Sequence, residues 1–290
     1  MMLVALPVVF LFILWRANFK SRLEWLLDAL TTTLIIVWLF RSGNWSWIGY
    51  PVRYLWLILL IIALVISWKK TRKLPLFMKY TGNQKFSIGI YVILLLVFGF
   101  YNVSTSTAHS VNEQTLDLAF PLLDGAYYVG HGGDHVLLNY HHAHPPQKYA
   151  LDIVGINKWG ARASGLYPED LEKYVIYGAT LYSPCTGRVT DMHNTSPDLT
   201  PPDSDPDHPV GNHVALACDG HDAIVYLAHM QEGSVLVQMG DEVQTGQPLG
   251  KVGNSGNTSE PHLHIHAELD GKGVPLTFDG RFLVRNQIVR

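Results

Sequence analysis

The stretch Ser259–Leu269, SEPHLHIHAEL, places His262, His264 and His266 at every second position, with Leu263 and Ile265 between them. Alternation with a period of two marks a strand with one face buried. The segment therefore predicts a β-strand whose two aliphatic side chains enter a core while three imidazoles line a surface or a cleft. Histidine is the commonest metal ligand. Two readings follow: a polar strand face that is merely rich in histidine, or one wall of a metal site.

Working outward, the same half of the chain holds further short runs punctuated by glycine. They are KYALDIVG (148–155), ATLYSPCTGRVT (179–190), GNHVALAC (211–218), AIVYLAHM (223–230) and QPLGKVGNSGN (247–257). Short strands at such spacing suggest an all-β, mainly antiparallel domain, placed here at 125–290. Two stretches interrupt it. Asn157–Gly178 contains YPEDLEKYV, which predicts a short helix. His193–Pro209 is too rich in Pro, Asp and Ser to be anything but a loop. Residues 104–124 form a polar connector, and no internal repeat is present.

The other part of the chain differs in kind. Residues 1–103 carry 11 Lys/Arg against 2 Asp/Glu, whereas 104–290 carry 10 against 22, and all 14 histidines fall in the second part. Four apolar runs stand out before residue 104: Met1–Trp15, Leu26–Phe40, Tyr54–Trp68 and Phe86–Val103. A membrane span needs about 20 apolar residues. The fourth run comes nearest to that alone, the third reaches it with Trp47–Val52 included, and the first is short and contains Pro7. No basic segment precedes the first run and no small-residue cleavage site follows it, so it reads as an uncleaved span rather than a signal peptide. The expected architecture is a four-helix transmembrane region over 1–103 followed by the β-rich domain.

Loop charges orient it. Arg16, Lys20 and Arg22 follow the first run; Lys69, Lys70, Arg72, Lys73, Lys79 and Lys85 follow the third; only Arg41 and Arg53 lie between the second and third. Basic loops stay cytoplasmic, so four spans put both termini and the acidic domain outside, with the lipid bilayer as a partner. Basic residues used as topology signals leave no case for a nucleic-acid site. Cys185 and Cys218 lack CxxC spacing and are too few for a structural zinc site. Outside the cytoplasm they can pair; two buried free thiols are the other reading.

A catalytic zinc takes three protein ligands and keeps one position open. His262 and His264 share a strand face, and Asp152 can reach the same cleft from a neighbouring strand. His229, at the end of VYLAHM, is either a core histidine or an acid/base group at the cleft rim. HExxH is absent, which excludes a helix-borne zinc site of that kind.

The order of YALD, SPCTGRVT, GNHVAL, YLAHM, GDEVQTGQPLGKVGNSGN and EPHLHIHAE resembles the lysostaphin/LytM-type zinc metallopeptidases over about residues 139–270. The resemblance implies a compact β-rich zinc domain that cleaves peptide cross-bridges or stems of bacterial cell walls. It implies Asp152 and His264 as zinc ligands, with His229 and His262 as non-ligand histidines that handle protons and the oxyanion. His266 is left without a role, second to the ligands or simply exposed. The family's first ligand is the histidine of HxxxD, and here Lys148 stands in its place; a protonated lysine cannot ligate zinc. The upstream segment NYHHAHPP offers His141, His142 and His144. His141 is the expected third ligand, since related sequences place an Asn-x-His before the aspartate strand. Glu260 replaces the family's usual glycine and is expected to narrow the cleft. The function implied is a membrane-anchored Zn2+ metalloendopeptidase acting on peptidoglycan or another extracytoplasmic peptide. A domain that has lost its ligands and serves as a binding or regulatory module for wall enzymes is the alternative.

Overall fold

The computed structural model describes residues 2–290. Four helices come first: α1 (Met2–Arg16), α2 (Arg22–Ser42), α3 (Val52–Thr71) and α4 (Gly82–Thr107). Three of them, α2, α3 and α4, are long and apolar enough to cross a membrane. Of the four expected spans these three are supported, and α1 is a shorter apolar helix. Its 15 residues rise only about 22 Å at 1.5 Å each, short of a hydrocarbon core of about 30 Å. Ser21 starts α2 by accepting the Glu24 N–H at 3.2 Å, which satisfies one of the free donors of the first turn.

The β-rich part begins with β1 (Leu116–Leu118), β2 (Tyr127–His131), β3 (Leu151–Gly155) and β4 (Thr180–Tyr182). It continues through β5 (Gly187–His193), β6 (Asn212–Cys218), β7 (Ile224–Met230), β8 (Glu242–Val243) and β9 (Pro248–Lys251). It closes with β10 (Leu263–Leu269), β11 (Lys272–Val274), β12 (Leu276–Phe278), β13 (Arg281–Phe282) and β14 (Ile288–Val289). The large sheet runs β14-β2-β3-β10-β7-β6-β5-β8, with β11 paired to the end of β10. Every pairing in it is antiparallel. Among the described residues, only β1 and β12 pair in parallel. The helix expected within 167–175 is a single 3-10 turn, Leu171–Lys173.

Alternation places the core on one face of this sheet. Leu151, Ile153, Val225, Leu227, Leu263 and Ile265 point into one apolar cluster. Leu263 and Ile265 are fully buried, each contributing about 1.5–3 kcal/mol by leaving water. Asp152, His264 and His266 therefore lie on the opposite face. β3 departs from a half-buried strand because both of its faces are covered. Cys185 and Cys218 form a disulfide with Cα atoms 5.7 Å apart, next to the pair Gly187–Cys218 that joins β5 to β6.

The chain forms two compact units. One comprises Met1–Trp45 and Pro51–Ser106; the other comprises Thr107–Arg290 and, from between α2 and α3, the segment Ser46–Tyr50. That a short loop between two apolar helices packs as part of the β-unit is not visible in the sequence.

Candidate active site

β10 lies between β3 and β7, and register decides what meets on its outer face. His264 stands opposite Asp152 on β3 and opposite Ala228 on β7. His264 Nδ1 is 3.0 Å from Asp152 Oδ1. His141 arrives from the loop before β3, and its Nε2 lies 3.0 Å from each carboxylate oxygen. The segment Tyr140–Ala143 forms one 3-10 turn, and Pro145 starts a second, Pro145–Gln147. Asn139 holds this loop down. Its buried side chain donates to the carbonyls of Gly133, Lys148 and Ala150 and accepts the His141 N–H. Lys148 points elsewhere, with Nζ 3.0 Å from Glu113 Oε1 and 2.6 Å from the Tyr149 hydroxyl. His142 pairs with Asp134 instead, at 3.1 Å.

His141, Asp152 and His264 present ligand atoms that all lie within 4.8 Å of one another, and all three residues are buried. Two nitrogens and one carboxylate oxygen are a donor set that zinc accepts in tetrahedral geometry. A second group, His229, His262 and His264, meets the same distance criterion. It has no anionic donor, and two of its rings are already committed through Nδ1. His229 Nδ1 donates to the Ser255 carbonyl at 2.8 Å, and His262 Nδ1 donates to the Glu260 carbonyl at 2.9 Å. A carbonyl only accepts, so each ring presents Nε2 to the cleft. His262 Nε2 stands 3.4 Å from Asp152 Oδ1. His229 is held at the end of β7 with φ +60, a conformation uncommon for a side-chain-bearing residue. Gly211 lets the backbone pass Ser255, since a Cβ there would overlap the Ser255 carbonyl.

Residues 173–276 match Peptidase family M23. That stretch is similar to peptidases of this family, in line with the lysostaphin/LytM-type resemblance. Similar solved structures include a candidate M23 peptidase of Pseudomonas aeruginosa, 25% identical over 34% of this chain and 37% of that one, TM-score 0.27. A zinc-containing peptidase of Vibrio cholerae is 18% identical over 56% of this chain and 39% of that one, TM-score 0.34. Lysostaphin of Staphylococcus simulans is 14% identical over 58% of this chain and 50% of that one, TM-score 0.30. The chain thus spans less than two thirds of each, and at these TM-scores the likeness carries no further argument.

The stretch that matches this family contains His229, His262 and His264, while His141 and Asp152 lie before residue 173. Sequence reasoning thus singled out five side chains that the fold brings to one cleft. It left His266 undecided and leaned to an exposed ring; the ring is buried. His266 stacks on Tyr226, its register partner on β7, at 4.9 Å between centroids. Its Nδ1 is 3.0 Å from His264 Nε2.

Three further residues border the cleft: His131, which the sequence offered only as a distant substitute for the third ligand, and Tyr140 and Arg162, which it did not single out. Tyr140 tilts over the His141 ring at 3.9 Å. His131 lines the same cavity of about 280 Å³ as Asp152 and His262 and lies 2.8 Å from Arg285 Nη2 through its Nδ1. Arg162 pairs with Glu260. The only signal was proximity: Tyr140 adjoins His141, and His131 closes the strand beside Asp152.

Electrostatics separate the two non-ligand histidines. Burial, reinforced by His262 and His264, pushes His229 well below the usual imidazole range. Burial opposes charge on His262 too, but the Asp152 carboxylate outweighs it and raises that group. Burial works against the Asp152 charge, yet His141 and His262 hold its carboxyl well below the ordinary value. Groups driven apart in this way suit one proton acceptor and one proton donor.

Proposed function

We propose that the chain is a membrane-anchored zinc metalloendopeptidase that hydrolyses peptide bonds of peptidoglycan on the outer face of a membrane. The observation that carries this reading is the meeting of His141 Nε2, Asp152 and His264 Nδ1, with His229 and His262 across the same cleft. His141, Asp152 and His264 hold the metal. Zinc there supplies Lewis-acid polarisation of the scissile carbonyl and activation of water near neutral pH. His229, neutral with its Nε2 lone pair open to the cleft, accepts a proton. His262, raised beside Asp152, offers in its protonated form an Nε2 N–H to the developing oxyanion or the leaving amine. The third ligand missing at Lys148 comes from the loop at His141, which is why a ligand-poor binding module is the weaker reading.

Location follows from two supports. Ser46–Tyr50 packs within the β-unit, so that unit shares a side with the loop between α2 and α3, flanked only by Arg41 and Arg53; sparse basic charge is expected outside. The Cys185–Cys218 disulfide also fits an oxidising compartment.

The test is metal content and wall-peptide release by the full chain in detergent. His264→Ala, Asp152→Ala and His141→Ala each lose stoichiometric zinc. His229→Ala and His262→Ala keep zinc and lose hydrolysis. If His229→Ala strips the metal as fully as His264→Ala does, the division of roles is wrong.

A further inference from the structure

Glu260 sits in the wall of the cleft at the position where the resemblance leads one to expect glycine, and it is held by an arginine from a distant segment. Arg162 lies in the insertion after β3 and is 2% exposed. Its Nη1 pairs with Glu260 Oε1. Its Nε and Nη2 both donate to Ser46 Oγ, at 2.9 and 2.6 Å, and its backbone N–H donates to the Ser46 carbonyl at 2.9 Å. The guanidinium also stands 4.7 Å over the Trp47 ring. Trp47 in turn stacks on Tyr167 at 3.8 Å, and the Tyr50 N–H donates to the Gly160 carbonyl at 3.0 Å. Ser46 itself is fully buried.

From Glu260 the chain of contacts reaches the cleft. The Glu260 carbonyl accepts from His262 Nδ1 at 2.9 Å and from the Thr258 hydroxyl at 2.7 Å. Fixing Glu260 therefore fixes how the His262 ring is turned and where its Nε2 points. A buried ion pair seldom adds net stability, because desolvating both charges offsets their attraction; its best use is to set geometry. The planar fork of arginine suits that use, since it engages Ser46 and Glu260 in one rigid frame. Ser46, Arg162 and the preceding β3 residues all lie outside the stretch that matches the M23 family.

We propose that Ser46–Tyr50, the loop between α2 and α3, is a positioning element of the cleft: Ser46 and Trp47 lock Arg162, Arg162 locks Glu260, and Glu260 orients His262. The part that concerns turnover rests on the peptidase reading above. In this arrangement a shift of the loop is transmitted to a catalytic side chain through residues each in direct contact with the next.

Two readouts on the full-length chain in detergent test it: hydrogen exchange of the segment 258–262 followed by mass spectrometry, and kcat against KM on wall peptides. Ser46→Ala removes the hydroxyl that accepts two N–H groups. It is expected to speed exchange at 258–262 by about 10-fold, the size of one lost charge-assisted hydrogen bond. It is also expected to lower kcat by about 10-fold, as misplacing a catalytic group does, with KM and zinc content unchanged. Ser46→Thr, which restores the hydroxyl, is expected to recover both. Arg162→Gln provides the second variant. Unchanged exchange at 258–262 in both Ser46→Ala and Arg162→Gln overturns the latch, whatever the turnover. Faster exchange with undiminished kcat overturns its role in catalysis. An unmutated chain that hydrolyses no wall peptide overturns the peptidase reading instead, and that outcome is recognised without any variant.

Discussion

His266 is the residue whose surroundings say most about how the centre is tuned. Burial, with His264 and His141 adding to it, pushes its imidazole down to about 2, so the ring is neutral. For His264 to offer its Nδ1 lone pair to a metal held together with Asp152, its Nε2 must carry the hydrogen. That hydrogen has an acceptor in His266 Nδ1, 3.0 Å away. A ligand histidine whose other nitrogen donates in this way is locked in tautomer and orientation. The stack on Tyr226 keeps the His266 ring from turning. His266→Ala is therefore expected to weaken zinc binding about 10–100-fold without abolishing it, in contrast to His264→Ala; competition with a chelator of known affinity measures the difference. An affinity equal to that of the unmutated chain refutes the assignment. The sequence marked His266 by its period-two spacing, but burial of its face depends on which residues β7 sets opposite, and β7 is remote from it along the chain.

At the scale of elements, the proposed ligand cluster depends on one loop. Lys148 stands four residues before Asp152 and turns to Glu113, so the proposed site draws on His141, 11 residues upstream of Asp152. A loop can supply a buried ligand only if its backbone is satisfied and immobile. Asn139, fully buried, meets that condition by bridging the carbonyls before and after the turn. Replacing it with alanine leaves those acceptors short of a donor, a loss of about 1–3 kcal/mol. Asn139→Ala is expected to lower the unfolding midpoint and to release zinc more readily, whereas His144→Ala, at the edge of the same loop, is expected to do neither. Thermal unfolding with and without added zinc checks both. The tandem prolines Pro145 and Pro146 indicated in advance that this stretch is no strand; where the loop returns a side chain was not legible, since nothing local codes for it.

At the scale of the molecule, charge and packing converge on one arrangement. Of the two loops rich in Lys and Arg, neither is the one that packs into the β-unit; that loop is Ser46–Tyr50. The expected outcome is that a reporter fused after Arg290 is active only in an extracytoplasmic compartment. A reporter fused at Lys79, in the basic segment between α3 and α4, is expected to be active only in the cytoplasm. A cytoplasmic signal from the first fusion would sink both the topology and the wall substrate.

By itself the sequence determined the element types, because hydrophobic period is a local property: apolar runs for α2, α3 and α4, and alternating or glycine-bounded runs for the strands around the cleft. It also supplied the ligand types, since His and Asp at strand positions advertise their chemistry wherever they land. What tertiary structure alone decided is who meets whom. Antiparallel register set His264 against Asp152, the fold of the loop chose His141 over His142 and His144, and packing drew Ser46–Tyr50 into the unit that houses the cleft. Those outcomes rest on contacts between residues from 11 to 116 positions apart. Their energies arise only once the chain has closed those distances, so no window of sequence contains them.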